Sequence, residues 1–559
     1  MEIKYFSISL TMLATIAPNM QAKTPSKPNI IIILADDMGF SDMGCYGGEI
    51  NTPNLDNLAQ NGMRFTQFYN TSRCCPTRAS LLTGLYQHEA GIGRMTGDNK
   101  LPGYRGQLTE QTVTIAEVLK GAGYNTGMVG KWHVSNTIQQ KNPNEQLKWL
   151  NHQGYPDADF GPILAYPTHR GFDKYYGNIW GVVNYFDPFS LVNGDKPVKS
   201  VPSNYYHTIG ITDTTCSYIK QFKATEKPFF LYVAYTAPHW PIQALPQDIE
   251  KYKDTYKVGW DVIRENRYNK MIKLGLFDPK TTKLSPENRK ANSNWDENPN
   301  KEYDARCMAV HAAMIDRIDQ GIGQIMATLK ATGQLENTVI MFLSDNGASP
   351  EVPASGGFDR NSETRDGREV IYTRSNNSVM PGSETTYTGI GPDWANVANT
   401  PFKLWKKESF EGGICTPFIA YWPAGIKKQA GTINTSTCHV MDLMATCIDL
   451  AKTTYPVTYN NHEIIPLEGL SIVPILDKGK RVGHKSLFFE HYDARALRIG
   501  DWKLVSLKGD NYELYNIAKD RTELHNLAAE MPEKVNEMKA IWEKEAYRVH
   551  AFPAPNEKN

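Results

Sequence analysis

The chain has 559 residues, 40% of them apolar, and its 60 basic residues balance 60 acidic ones for a formal net charge of zero. That length accommodates several domains or one large α/β core with an appendage. The neutral balance argues against a nucleic-acid partner, which would call for a strongly basic surface.

Residues 1–22 read as an export signal. Lys4 gives a short basic start, an apolar stretch runs from Tyr5 to Ile16, and Met20-Gln21-Ala22 puts a small residue before a cut. The stretch is too short to span a bilayer, and Lys23 to Pro28 is a polar linker. No later segment is apolar enough to cross a membrane. The expectation is an exported protein, periplasmic or secreted, without a transmembrane segment.

Next come apolar runs that each end in polar, reactive residues. Asn29 to Ala35 leads into Asp36-Asp37, and Tyr124 to Val129 into Gly130-Lys131-Trp132-His133. Pro228 to Tyr235 leads into Pro238-His239-Trp240-Pro241, and Thr338 to Leu343 into Ser344-Asp345-Asn346-Gly347. Unbroken apolar runs of this length predict strands buried on both faces of a mostly parallel sheet. Helical periodicity lies between them, over Thr112–Gly123 and Val310–Leu329. The alternation predicts an open α/β sheet flanked by helices, and ligands of such sheets bind beyond the carboxyl ends of the strands. Leu245 to Glu302 breaks the pattern and reads as an insertion over the sheet edge. From residue 485 the chain changes to short strand candidates and a closing helix over Glu530–Tyr547. The domain plan is therefore a catalytic domain over 27–484 and a smaller α+β subdomain of antiparallel strands and a helix over 485–559.

Asp36, Asp37, Asp345 and Asn346 form an all-oxygen set. Adjacent carboxylates at a sheet edge repel unless a cation lies between them, and oxygen ligands suit calcium or magnesium rather than zinc. The eight cysteines are sparse for a disulfide-stapled protein. Cys74 stands apart. In Cys74-Cys75-Pro76-Thr77-Arg78-Ala79-Ser80-Leu81-Leu82-Thr83-Gly84 it is placed at a helix N-terminus, since Pro76 suits a first turn. Such a position attracts anions, and Arg78 lies one turn further on.

This motif resembles the signature of the type I, formylglycine-dependent sulfatases, arylsulfatase-like members of the alkaline phosphatase superfamily. Further resemblances are Asp36-Asp37-Met38-Gly39, the segments around Lys131, His239 and Asp345, Lys406 leading to Glu411-Gly412-Gly413, and Gly500-Asp501-Trp502-Lys503-Leu504. One departure is Cys415, where many relatives carry Arg. The resemblance implies an alkaline phosphatase-like fold and a sulfuric ester hydrolase. It implies conversion of Cys74 to formylglycine by a maturation enzyme, and Ca2+ or Mg2+ held by Asp36, Asp37, Asp345, Asn346 and residue 74. The hydrated aldehyde attacks sulfur, Lys131 and Lys406 neutralise the sulfuryl oxygens, and Arg78 fixes the anion at residue 74. His239 protonates the leaving alcohol, and His133 deprotonates the second hydroxyl to expel sulfate.

Substrate selectivity has to come from the rim. The sequence candidates are His169, Arg170, Trp180, Asn184, His491 and Arg495, and the expected substrate is a sulfated saccharide, on galactose or an amino sugar, or an aryl sulfate. A phosphonate or phosphodiester hydrolase of the same superfamily is the rival enzyme, and a non-catalytic anion-binding protein the rival of another class.

Overall fold

The computed structural model describes residues 27–152, 159–286 and 294–555; the export signal expected over residues 1–22 lies outside them. β1 (Asn29–Ala35) is buried at every position. Ile31, Ile33 and Ala35 enter one apolar core, and Ile30, Ile32 and Leu34 enter a second. Side chains alternate across a strand, so a strand with a core on each face must be apolar throughout. This is why the sequence shows an unbroken run.

Along the chain follow β2 (Met63–Tyr69), α1 (Cys74–Thr83), α2 (Ile115–Gly121), β3 (Asn125–Gly130), β4 (Lys174–Asn178) and α3 (His207–Lys223). Then come β5 (Phe229–Ala234), α4 (Lys301–Ala331), β6 (Thr338–Ser344) and β7 (Cys415–Tyr421). β6, β1, β5, β3 and β4 lie side by side and parallel, while β7 runs antiparallel between β6 and β2. With short edge strands, the mixed sheet has eleven strands among the described residues. α3 and α4 cover one face; α1, α2 and the helix Asp442–Ala451 cover the other. β1 is flanked by β5 on one side and β6 on the other, which makes its carboxyl end a switch point where such sheets bind ligands.

Two expectations are corrected in detail. α4 begins at Lys301 rather than Val310, because Tyr303, Ala305 and Met308 already face the core. Leu245 to Glu302, read as aperiodic, contains the helices Pro246–Glu250 and Trp260–Lys273. Its periodicity is masked by Arg267, which takes a core-facing position by pairing with Asp42 at 2.8 Å and Glu49 at 2.7 Å.

β8 (Leu487–His491), β9 (Ala494–Ile499), β10 (Trp502–Ser506) and β11 (Glu513–Asn516) form an antiparallel sheet in chain order, backed by α5 (Pro532–Arg548). Leu497, Leu504, Leu514 and Trp542 join the same core as Ile31 and Ile33. A buried ionic knot fastens this sheet to the segment after Lys406. Lys503 Nζ lies 2.9 Å from Glu411 and 2.7 Å from Glu523, Arg521 pairs with Glu411, and Tyr69 Oη donates to Glu411 at 2.8 Å. Each charge has an opposite partner, which buried ions need to be tolerated. Arg521 Nη2, from the turn after β11, also reaches Cys415 Sγ at 3.2 Å. All eight cysteines are free, and among the described residues no helix is long and apolar enough to cross a membrane.

Candidate active site

Parallel strands end together, so β1 delivers Asp36-Asp37, β3 delivers Lys131 and His133, and β6 delivers Asp345-Asn346 to one edge, with His239 just beyond β5. α1 starts at Cys74 above them. Two of these residues hold a left-handed backbone, Asp37 at φ 67° and His133 at φ 55°. Non-glycine residues rarely adopt it, and functional sites are where it concentrates. The turn at His133 brings its ring back over the edge to which Lys131 also points. Trp132 between them is buried in the core and donates to Ala165 O.

The charged groups interlock. Asp36 Oδ2 lies 2.5 Å from Lys131 Nζ and 3.1 Å from Arg78 Nη2, which also donates to Asp345 Oδ2 at 3.0 Å. Arg78 Nη1 donates to Lys131 O at 3.0 Å. Asp345 Oδ1 accepts from Asp37 N at 3.1 Å, and Asn346 Nδ2 donates to Asp37 Oδ1 at 2.6 Å. Lys406 Nζ donates to Asp37 Oδ2 at 2.9 Å and lies 3.3 Å from His239 Nε2. Cys74 Sγ is 3.5 Å from His133 Nδ1. All of these side chains are buried. The structure therefore gathers every sequence candidate for catalysis and metal binding into one cluster.

Burial, then the neighbouring charge of Asp36, pushes the Asp345 carboxyl well above the usual range. Burial also acts upward on Asp36, but Lys131, His239 and Arg78 outweigh it and hold that carboxyl low. Two carboxylates sharing one guanidinium disfavour being ionised together, and added positive charge relieves that repulsion. Asp36 Oδ1 and Asn346 Oδ1 are buried and have no hydrogen-bond partner. Such oxygens are costly to leave unsatisfied, and a hard divalent cation is the group that satisfies them. The residues present fit the oxygen-ligated cation that the sequence suggests.

The Cys74 thiol is held well below its usual pKa by the Cys75 S–H group, against burial, with Lys131 and His133 adding to the effect. Above it opens a cavity of about 400 Å³, with Arg73, His133, His239 and Lys406 at its base and Trp180, Trp240 and Phe358 along its walls.

Of the six substrate candidates, only Trp180 lines this cavity, and its indole Nε1 is committed to Phe160 O at 2.7 Å. The other five do not line it. His169 faces Asp195, and Arg170 braces the α2 cap through Glu117 and Thr112 O. Asn184 closes a turn by accepting from Phe186 N and donating to Glu384 O. His491 is buried against Gly93 O, and Arg495 pairs with Asp493 and stacks on Trp542. Their polar groups hold loops and the C-terminal sheet in shape, away from the cavity lining. Sequence reasoning missed Glu351. It accepts from Trp240 Nε1 at 3.0 Å and Lys406 Nζ at 3.3 Å and pairs with Arg73 and Lys407. Burial raises its carboxyl, but Lys406 and Arg73 outweigh this and hold it far below the usual range. A lone Glu in a loop gives no periodic or motif signal, so only the fold reveals it.

An anion-seeking helix start, lysines and histidines around it and an oxygen cradle beside it, at the switch point of a mostly parallel sheet, define a hydrolase of charged esters. Comparison with known proteins makes the class specific. The family model described as Sulfatase matches residues 28–453. The chain is 33% identical to an uncharacterized sulfatase of Schizosaccharomyces pombe over 87% of this chain and 86% of that one. It is also 33% identical to an arylsulfatase of Klebsiella aerogenes over 85% of this chain and 97% of the relative. A solved structure in complex with its substrate D-glucosamine-2-N,6-O-disulfate shares the fold, with TM-score 0.59 and 21% identity over 96% of this chain and all of that one. The chain belongs to the sulfatase family, within the alkaline phosphatase superfamily, and is a sulfuric ester hydrolase.

Proposed function

We propose that this chain is an exported sulfatase that removes sulfate from carbohydrates, with Cys74 converted to formylglycine by a maturation enzyme and Ca2+, or Mg2+, held by Asp36, Asp37, Asp345 and Asn346. The observation that carries this reading is the convergence on residue 74. That residue begins a helix, faces His133, and lies beneath a cavity with Lys406 and His239 at its base. When present, the aldehyde hydrate supplies the nucleophilic oxygen, and the cation lowers its pKa and withdraws charge from the sulfuryl group.

The chain's own residues account for the rest. Lys131 and Lys406 bring ammonium groups to opposite sides of the cradle, where charge builds on the sulfuryl oxygens. Arg78 locks Asp36 and Asp345 in place and carries positive charge beneath residue 74. His239 Nε2, 3.3 Å from Lys406 Nζ, is placed to give a proton to the departing alcohol oxygen. His133 Nδ1 is placed to take a proton from residue 74. Burial holds the His133 imidazole below its usual pKa of 6.5, so it is neutral and basic at pH 7. A base is lost as pH falls through its pKa, and this one acts after the alcohol has left, so the acid limb of kcat is expected below pH 6.5. A pH profile with that limb centred above 7 would contradict the assignment.

A saccharide is supported by the size of the cavity, which lies within the range that holds a small ligand, and by its aromatic walls, against which the apolar face of a sugar can pack. The neighbouring structure was solved with a sulfated glucosamine, and export would bring the enzyme to polymeric glycans. Galactose and amino-sugar sulfates are the first substrates to try.

Comparing 4-nitrophenyl sulfate with a bis(4-nitrophenyl) phosphodiester tests the reaction, and preference for the phosphodiester would overturn it. The same sulfate tests His239. His239→Ala is expected to cost about 10²–10⁴-fold on a saccharide sulfate, whose alkoxide leaves poorly, and far less on the nitrophenyl ester. Equal losses would remove His239 from the acid role.

A further inference from the structure

A cavity of limited size opens above Cys74. Segments 73–74, 95–97, 133–139, 180–182, 239–240 and 351–360 surround it, and Lys406 closes its base. Its volume of about 400 Å³ is at the small end of the range for ligand sites. One wall is preassembled. Trp240 is fixed through Nε1 on Glu351 at 3.0 Å, and the Arg360 guanidinium lies over its ring, 5.3 Å from the centroid. Arg360 Nε donates to Asp359 Oδ1 at 3.0 Å, and its Nη1 donates to Ser355 O at 2.9 Å. Those bonds engage Nε, Nη1 and Oδ1, and among the described residues no side-chain bond engages Arg360 Nη2 or Asp359 Oδ2. Phe358, although 49% exposed, is held in place at the rim. Its ring lies 6.0 Å from Trp180, and its carbonyl accepts from Gln146 Nε2 at 2.7 Å.

The geometry points to a single-sugar subsite in which Asp359 and Arg360 grip ring hydroxyls of a terminal, otherwise uncharged pyranose, with Trp240 and Phe358 against its apolar faces. The inference rests on the carbohydrate reading above. A fixed acceptor–donor pair matches two vicinal hydroxyls, each of which can donate and accept. The pair is ionic but neutral overall. It therefore offers a uronate or a second sulfate no net attraction, because the repulsion from Asp359 offsets the pull of Arg360. Arg and Asp groups buried by the sugar would be left unpaired by a ligand lacking the hydroxyls, which is how such sites discriminate. A volume of this size holds about one sugar ring, so removal is expected from terminal residues.

The test is the ratio of kcat/KM on galactose 6-sulfate and N-acetylglucosamine 6-sulfate to kcat/KM on 4-nitrophenyl sulfate. The enzyme should carry the modified residue 74, and Asp359→Ala and Arg360→Ala are compared with the unmutated chain. A ratio does not depend on the folded or converted fraction. It is expected to fall at least tenfold in each variant, mainly through a higher KM for the sugar. A ratio unchanged in both variants, while the parent cleaves the sugars, would overturn the subsite and leave the carbohydrate reading standing. A parent that hydrolyses 4-nitrophenyl sulfate but no sulfated sugar would overturn the carbohydrate reading and the subsite with it. Release of sulfate from an internally sulfated galactan as fast as from the monosaccharide would overturn the terminal mode.

Discussion

Replacing Cys74 with alanine is expected to abolish sulfate ester hydrolysis, with kcat falling by about 10⁴-fold or more, the scale seen when a covalent nucleophile is removed. The side chain lost is small and buried, with His133 Nδ1 3.5 Å away and the Cys75 S–H group beside it. Alanine suits the first turn of α1, so the melting temperature should stay within a few degrees of the parent. Cation binding should weaken but persist, because Asp36, Asp37, Asp345 and Asn346 are untouched and only the ligand at residue 74 is lost. Turnover of 4-nitrophenyl sulfate by purified C74A, with its melting curve as the folding control, decides the matter. Activity within tenfold of the parent would mean that residue 74 is not the nucleophile. Mass spectrometry of the parent peptide spanning residues 71–78 supplies the complementary readout, since conversion to formylglycine changes the mass at residue 74 alone.

Asp36→Asn is the second severe change. Asp36 is the common partner of Lys131 at 2.5 Å and Arg78 at 3.1 Å, and its other oxygen has no hydrogen-bond partner in the cradle. The amide keeps the shape but removes the charge that balances a lysine, a guanidinium and a divalent ion in one buried space. Breaking a buried ionic arrangement by neutralising one member is strongly unfavourable, on the order of 3–5 kcal/mol. Here part of that cost falls on cation affinity. Activity is expected to drop by about 10³-fold, more than the 10–100-fold typical of losing an outer-shell partner of a metal ligand. Titration of the metal-free protein with Ca2+ and with Mg2+, followed by melting temperature, provides the direct test. The parent should be stabilised by several degrees as the ion binds the native state alone, and D36N by almost nothing. Equal stabilisation of both proteins would place the cation elsewhere.

Much of this site was readable before any fold was known. Asp36-Asp37, Lys131, His133, His239 and Asp345-Asn346 each follow an apolar run, and parallel strands end at one edge, so runs that end in reactive residues must bring them together. Cys74 was readable because Pro76 and the leucines after it specify a helix start. The rim was not. His169, Arg170, Asn184 and Arg495 have the polar chemistry of ligand contacts, yet each bonds to Asp195, Glu117, Glu384 O or Asp493, while His491 meets Gly93 O through Nδ1 and leaves its buried Nε2 without a hydrogen-bond partner. Whether a polar side chain faces a ligand or a neighbouring loop depends on partners distant in sequence. Glu351, Asp359 and Arg360 are the converse case, drawn from a loop without periodicity and given meaning only by Trp240 and Lys406 beside them.

The linear chain alone was sufficient for the class of fold, the sheet edge that carries the chemistry, and the residues of the charged cluster. The sheet edge is written in hydrophobic period and helix-start residues, while Lys406 and the role of Cys74 came from the resemblance to the sulfatases. Which residues wall the cavity, how the C-terminal sheet fastens to the Glu411 segment, and which polar groups remain free for a ligand were settled only by tertiary structure. These are pairings between segments hundreds of positions apart, and hydrogen-bond and ion-pair partners chosen at that range leave no local trace.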